Sequence, residues 1–468
     1  MAIRDLRDFL RRIEELGELH RVTVEVDPIL EMAAISARVS KIDSGGPALL
    51  FSRVKGSGFG AAANLFGSKK RMAAALSLAK LGQLSEIIGR LIEGVPGRTA
   101  AEKLSSLSSG SSASRFRPQI QQNAPCQELR IEPPDLTLLP IPKCWPSDGE
   151  PAHEGRFLTL PLVITRDPAD ATQNCGMYRA AVLGPDRLAI HWSPESGGAL
   201  HAEAWRLDGR PMPVAIALGG PPALAFAAML PLPEGVDEFT FAGLLLGEPV
   251  AAVKCPASDL LVPAGAELVI EGFIEPGESA ADGAFGNHTG YYNPSGFYPL
   301  VRVTAITHRR EMILPFTVVG RPPMEDCMLA EAACRLLLPL LQQDLPAIRA
   351  LHRPIAGTFH GATVLAVDKA AAGGRETLLQ QIRGIKWLAE ARLLVLVDED
   401  QDPVDVGGVY WRMLNNTVWQ DDLIIDGKRL TVDATRKPGD SRVALQGDPD
   451  TECLVTMRWQ EYGFNDGR

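Results

Sequence analysis

The sequence predicts a mixed α+β protein built as three consecutive units, at residues 1–115, 116–322 and 323–468. Three observations predict it. An amphipathic helix opens the chain, a long middle stretch breaks into short strands between Gly/Pro turns, and beyond Glu325 apolar strand runs alternate with helical periodicity. At 468 residues the chain is long enough for two or three separate cores.

In the first unit Leu6, Phe9, Leu10, Ile13 and Leu16 share one helical face, and Gly17 ends the helix. Val22, Val24 and Val26 alternate with polar residues, the mark of a half-buried strand. Ala- and Leu-rich turns from Lys70 to Glu93 predict a second helical region, and the Ser-rich run Leu104 to Ser114 reads as a flexible connector. In the middle unit Leu158–Thr165, Leu188–Trp192, Val214–Leu218 and Glu267–Ile274 read as strands of a barrel or sandwich, with one helix near Glu238–Leu246. In the last unit a helix from Glu325 to Gln342 leads to a strand at Gly361–Val367. A further helix, Arg375 to Ala391, leads to Leu393-Leu-Val-Leu-Val397, the run expected of a strand buried in a parallel sheet. No internal repeat is visible.

Composition removes several classes of function. A formal net charge of −10, with no basic tail or stripe, argues against a nucleic-acid partner. No run of apolar residues is long enough for a transmembrane segment, and the amino terminus lacks the apolar core of a secretory signal. Seven cysteines without a CxxC pair fit reduced thiols, and a cytoplasmic location is expected.

The chemistry-bearing residues gather in a few places. Asp282-Gly-Ala-Phe-Gly-Asn287-His288-Thr-Gly-Tyr-Tyr292 sets an acid, an amide, an imidazole and two phenols among three glycines. Glycine lets backbone approach a ligand closely, although a tight surface turn uses the same residue types. Gln173-Asn174-Cys-Gly176-Met-Tyr-Arg179 places an amide and a guanidinium beside a glycine, suited to an anion, while a hairpin with a surface Arg remains the plainer reading. His191 lies in an apolar strand, and Glu238 lies in the first turn of its helix. With Asn174 they supply O, N and O donors for a divalent ion such as manganese or magnesium, but spacing cannot show that they meet. Gly219-Gly220-Pro-Pro is a turn and not a phosphate loop, no G-x-S-x-G elbow is present, and Asp398 to Asp405 reads as a solvated acidic loop.

These pieces, taken in order with Asp5-Leu-Arg-Asp-Phe-Leu, Val163-Ile-Thr-Arg-Asp-Pro, Glu238-Phe-Thr-Phe-Ala-Gly, Gly320-Arg-Pro-Pro-Met-Glu-Asp326 and Asp433-Ala-Thr-Arg-Lys437, resemble the UbiD-type decarboxylases. The resemblance implies a central split β-barrel that binds prenylated flavin mononucleotide, between an amino-terminal α/β region and a carboxy-terminal α/β domain for oligomerisation. It implies that Asn174, His191 and Glu238 hold manganese at the cofactor phosphate, with potassium as a further cation. Met177, Tyr178, Arg179, Trp192, Ser196 and Gly197 would line the cofactor. The implied activity is reversible, non-oxidative decarboxylation of an aromatic or heteroaromatic acid, with quinone biosynthesis as a setting. A flavin prenyltransferase would supply the cofactor to a homo-oligomer, a dimer or a hexamer.

By the same resemblance Arg179, Asp282 and Asn287 are the catalytic positions, Arg179 facing the substrate carboxylate. Many relatives carry Glu where this chain has Asp282, and an acid where it has Asn287. An amide is no general acid near neutral pH, so protonation is assigned to Asp282. The departure keeps open a catalytically silent subunit of an oligomeric decarboxylase. A split-barrel flavin oxidoreductase is a third reading, against which stands the lack of a nucleotide fingerprint.

Overall fold

In a computed structural model of the chain, the amphipathic pattern at the amino terminus becomes the helix Leu6–Glu15, whose Leu6, Phe9, Leu10 and Ile13 are buried. Asp5 caps it by accepting the Asp8 amide at 2.8 Å. The structure describes residues 2–464 except 110, 234, 359, 386, 387, 389, 390, 438, 443, 444 and 446.

The first strand is shorter than its alternation predicts. It covers Leu19–Val22, Val26 makes only an isolated bridge to Val54, and Val24 is 66% exposed. The predicted helix from Lys70 to Glu93 is two helices, Lys69–Ala75 and Gln83–Ile92, parted where Ser77 takes a φ of +57°. The Ser-rich connector is also corrected, because Ala100–Ser109 is helical. Serine is a modest helix former, but Ala100 and Leu104, one turn apart, are both buried in the core, and that burial overrides propensity.

Leu19–Val22, Ala48–Phe51 and Gly60–Ala63 form a sheet completed by Ile313–Pro315, which pairs in parallel with Gly60–Ala62. The first unit therefore borrows its last strand from the end of the second.

The middle unit is built on a nine-stranded antiparallel sheet, with a three-stranded sheet and a two-stranded hairpin beside it among the described residues. Its path runs Phe157–Leu158, Ala180–Gly184, Arg187–Ile190, Phe297–His308, Ala266–Ala281, Met212–Gly219, Leu162–Arg166 and Gln173–Met177, with Leu129–Ile131 against the 297–308 strand. Alternation assigns its two faces: Ile164, Ala215 and Ala217 join one core, and Val163, Val214 and Ile216 join the other. The predicted strand Leu158–Thr165 is split at Pro161, and its halves pair with different partners. The helix Glu238–Leu246 forms as predicted, with Asp237 as cap, but Gly197–Asp208 and Pro222–Ala227 are helices as well. The 197–208 helix begins Gly-Gly and leaves Leu200 and Leu207 exposed, so no apolar stripe announced it.

In the last unit Ala362–Val367, Leu393–Asp398 and Arg429–Asp433 run parallel, flanked by antiparallel Ile348–His352 and Leu423–Asp426. The helix predicted over Arg375–Ala391 ends at Arg383, with Gly384 as its cap, and part of the remainder lies outside the described residues. Among the described residues no helix is long and apolar enough to cross a membrane.

Candidate active site

Arg179 follows the Gln173–Met177 strand in the turn to Ala180–Gly184, and its carbonyl accepts the His191 amide at 3.0 Å. That bond brings residues 179 and 191 to the same end of the sheet, where the 266–281 strand delivers Asp282. Asp282 Oδ2 lies 3.2 Å from Arg179 Nη2 and 2.8 Å from His191 Nδ1, and Oδ1 accepts the Gly296 amide at 2.8 Å. The Asp282 side chain has no solvent exposure, and that of Arg179 is 14% exposed. The guanidinium lies 4.4 Å over the Phe285 ring, and Tyr298 packs 4.0 Å from the His191 ring.

The proton positions follow from the donors. Arg179 has no acceptor, and burial pushes the Asp282 carboxyl up while the His191 and Gly296 N–H groups and the Arg179 charge pull it down further, so it stays below its ordinary range. Asp282 is therefore a carboxylate at rest. His191 Nδ1 lies 2.7 Å from Arg179 Nη2 as well as 2.8 Å from Asp282 Oδ2, and the tautomer that donates Nδ1–H to Asp282 is the one that leaves the lone pair on Nε2. Burial draws the Arg179 cation down, and Asp282 opposes that.

Asn287 is used by its own turn. Its oxygen accepts from the Thr289 amide at 2.8 Å and from the Thr289 hydroxyl, and its nitrogen donates to Asn293. His288 faces His360 with ring centroids 4.8 Å apart, and burial, aided by His360, lowers it to about 4. It is a neutral imidazole at physiological pH.

A second group lies around the start of the 197–208 helix. Ser196 caps that helix through the Ala199 amide, and the Gly198 amide reaches the Tyr178 hydroxyl at 3.5 Å. A Cβ at Gly197 would collide with Asn174 Oδ1, and one at Gly198 would stand 2.8 Å from the Trp192 ring. Tyr178 and Trp192 meet edge-on at 5.9 Å. Met177 packs with the opposite core, away from Tyr178 and Trp192. Glu238 accepts the Cys175 amide at 3.0 Å, and burial pushes its carboxyl up to about 8. Cys175 itself is buried, with its thiol pushed well up, as suits a packing residue. Two clefts, of about 540 and 270 Å³, run along the 197–208 helix, and only the smaller reaches Trp192. Neither is lined by Arg179, Asp282 or Glu238.

The structure thus joins Arg179, His191 and Asp282, and separately joins Asn174, Tyr178, Trp192, Ser196 and Gly197. Among the described residues none of Asn174, His191 and Glu238 hydrogen-bonds another. The donor set still fits a divalent cation beside a phosphate. Among the described residues Glu238 is a buried carboxyl with no cation beside it, and the Asn174 amide nitrogen is a buried donor without a partner, as an anion would satisfy. Sequence reasoning missed Tyr298 and Gly296, whose place in the site has no local signal.

The carboxyl of Glu238 gives a pH prediction. Between its ordinary value of 4.5 and about 8 the cation-free folded chain holds a proton that the unfolded chain has lost, so stability falls as pH rises through that window. A divalent cation held by Glu238 would have to expel this proton, so added manganese is expected to raise the melting temperature more at pH 8 than at pH 6, and Glu238→Gln to remove the difference. Gly197→Ala, whose methyl displaces the Asn174 amide, is expected to weaken manganese binding about tenfold by titration calorimetry, with little change in melting temperature.

Comparison with known proteins gives the family. The models of the 3-octaprenyl-4-hydroxybenzoate carboxy-lyase amino-terminal, Rift-related and carboxy-terminal domains match residues 10–91, 118–322 and 327–445. The chain belongs to the UbiD family. It is a carboxy-lyase by that membership. An uncharacterized protein of Archaeoglobus fulgidus is 38% identical over 98% of this chain and 99% of its own length. The UbiD-class enzyme HmfF from Pelotomaculum thermopropionicum, solved with prFMN in an evolved dimeric form, is 29% identical over 96% of this chain and 98% of its own, with a TM-score of 0.79. The closed form of Sedimentibacter hydroxybenzoicus vanillic acid decarboxylase shares the UbiD fold, at 24% identity, 99% and 100% coverage and a TM-score of 0.83.

Proposed function

We propose that this UbiD-family carboxy-lyase removes CO₂, reversibly and without oxidation, from an aromatic or heteroaromatic carboxylic acid, using prenylated FMN. One observation carries the reading: a buried guanidinium, Arg179, is held at the sheet end by a buried carboxylate that a substrate carboxylate can replace. The likeness to HmfF, solved with prFMN, supports the cofactor. Asn174, Glu238 and the free Nε2 of His191 would hold manganese, and the Ser196–Gly197 backbone the cofactor phosphate. Met177, Tyr178 and Trp192 would line the cofactor within a split barrel, and potassium would be a further cation. When bound, the cofactor supplies an electron sink for the pair left on carbon as the C–CO₂ bond breaks.

The chain's own residues handle charge and proton. Arg179 turns from Asp282 to the substrate carboxylate and fixes its orientation. Asp282 then loses its nearest cation while remaining buried, and burial, the largest influence on it, raises its affinity for a proton. Asp282 takes that proton from solvent and passes it to the carbon that has lost CO₂. Substrate binding thus converts a resting carboxylate into the acid that the step needs. Asn287 shapes the loop that carries these groups.

A flavin prenyltransferase is the proposed source of cofactor. Self-association is supported by the exposed Tyr410, Trp411, Trp419 and Met457 of the last unit. Protein co-expressed with that prenyltransferase is expected to release CO₂ from one or more aromatic acids, with the naphthoates and hydroxybenzoates of quinone biosynthesis tested first. Loaded protein that releases none overturns the proposal. One observation favours a silent structural subunit instead: at rest Asp282, the carboxyl bonded to Arg179, is held below its ordinary range and carries no proton to give. Deuterium entering the product carbon from D₂O separates the two, since a silent subunit exchanges nothing.

A further inference from the structure

The hairpin that follows Asp282 is too short to hold itself. Phe285–Gly286 and Tyr292–Asn293 pair over two residues each, and an isolated hairpin of that size is marginal in water. What holds it is a segment more than 130 residues earlier in the chain, Trp145 to His153, with no role so far. Asp148 is fully buried, and its two oxygens accept the Gly286 and Trp145 amides, each at 2.8 Å. The Gly149 amide donates to the Ala284 carbonyl at 2.8 Å, and the Ala284 amide donates to the Glu150 carbonyl at 2.9 Å. His153 Nε2 donates to the carbonyl of Asp282 itself at 2.8 Å, while its Nδ1 accepts the Gly155 amide at 3.1 Å, so the imidazole is a defined neutral tautomer. A Cβ on Gly283 would strike the Gly149 backbone, and one on Gly149 would strike the Gly155 backbone, so both positions of the seat are closed to side chains. The Trp145 indole covers Gly286 and donates to the Val319 carbonyl at 2.8 Å, tying the seat to the segment before the last unit.

We propose that Asp148 and His153 are positioning residues for decarboxylation: they fix the backbone carbonyl of Asp282 and the hairpin that follows it, so that its carboxylate meets Arg179. The logic is geometric. Asp282 is held through one backbone carbonyl by His153 and through its hairpin by Asp148, and a displacement of about 1 Å at such a group costs on the order of 10²-fold in rate. Both residues act through Asp282, and neither touches the reacting atoms. The catalytic half of the inference rests on the decarboxylase reading, and the structural half does not.

The test uses the full chain. In hydrogen–deuterium exchange of the cofactor-free protein, Asp148→Asn, which turns one acceptor into a donor facing an amide, is expected to lose protection over residues 282–293 and keep it elsewhere. In cofactor-loaded protein, on whichever acid the parent decarboxylates, its kcat is expected to fall about 10²-fold with KM within about threefold. His153→Phe keeps the edge-on packing at 5.2 Å on Phe157 but removes the donor, and is expected to lose about tenfold in kcat. His153→Gln, which restores a donor at that reach, is expected to recover most of it. If Asp148→Asn does not fold, the His153 pair decides. Parent-like exchange and turnover in the variants overturn the proposal, as does a Gln variant no better than Phe. Loosened exchange in a chain whose parent releases no CO₂ leaves the seat standing and removes the decarboxylase reading.

Discussion

Replacing Arg179 by Ala is expected to lower decarboxylation by about 10³-fold, the loss that follows removal of a buried group preorganised toward charge. The same change removes the Arg179 cation from beside a fully buried carboxylate. Breaking a buried pair from one side typically costs about 3–5 kcal/mol, and the low end applies because the His191 and Gly296 N–H groups still hold Asp282. A lowered melting temperature should therefore accompany the lost activity. The double variant Arg179→Ala/Asp282→Asn should regain the stability and not the activity. A single variant that keeps parent turnover removes Arg179 from the mechanism.

Asp282→Asn is expected to reduce turnover by about 10²–10⁴-fold, the span assigned to a general acid. An amide oxygen can still accept the Gly296 N–H, but its NH₂ would face Arg179 and the protonated Nδ1 of His191. His191 must then shift its proton to Nε2, which closes the nitrogen offered to a metal. Loss of turnover should thus come with weaker manganese binding. Full turnover by this variant would exclude Asp282 as the proton route. The pair also sets an acid limb. Because Asp282 is held below its ordinary range in the folded chain, its stabilisation is present at neutral pH and is lost as pH falls through and below the usual carboxylate range. Thermal melts of the parent, but not of Asp282→Asn, should show that loss.

Much of the site was legible as residue types. Asn174, Gly176 and Arg179 form one strand end, the 282–292 glycines and polar groups form one hairpin, and family membership extends over all three units. The 197–208 helix was not legible, because its opening Gly-Gly answers to a packing demand of Asn174 and Trp192 that lies far away in sequence. The helix over the Ser-rich run was hidden for the converse reason, its two buried apolar positions outweighing a composition that favours a connector. Asn287, which the family resemblance singled out, hydrogen-bonds within its own turn, to Thr289 and Asn293.

By itself the sequence determined the family and most strand and helix periods, and it offered the residue types from which the candidate site is drawn, since these depend on side-chain type and on neighbours within a few residues. Tertiary structure alone decided that Asp282 rests as a carboxylate, that His191 and Arg179 both meet it, and that Asp148 and His153 seat the hairpin. Each of those depends on burial and on partners between 91 and 138 residues away in the chain, and the electrostatics of a buried group are set by what the fold brings within hydrogen-bond reach.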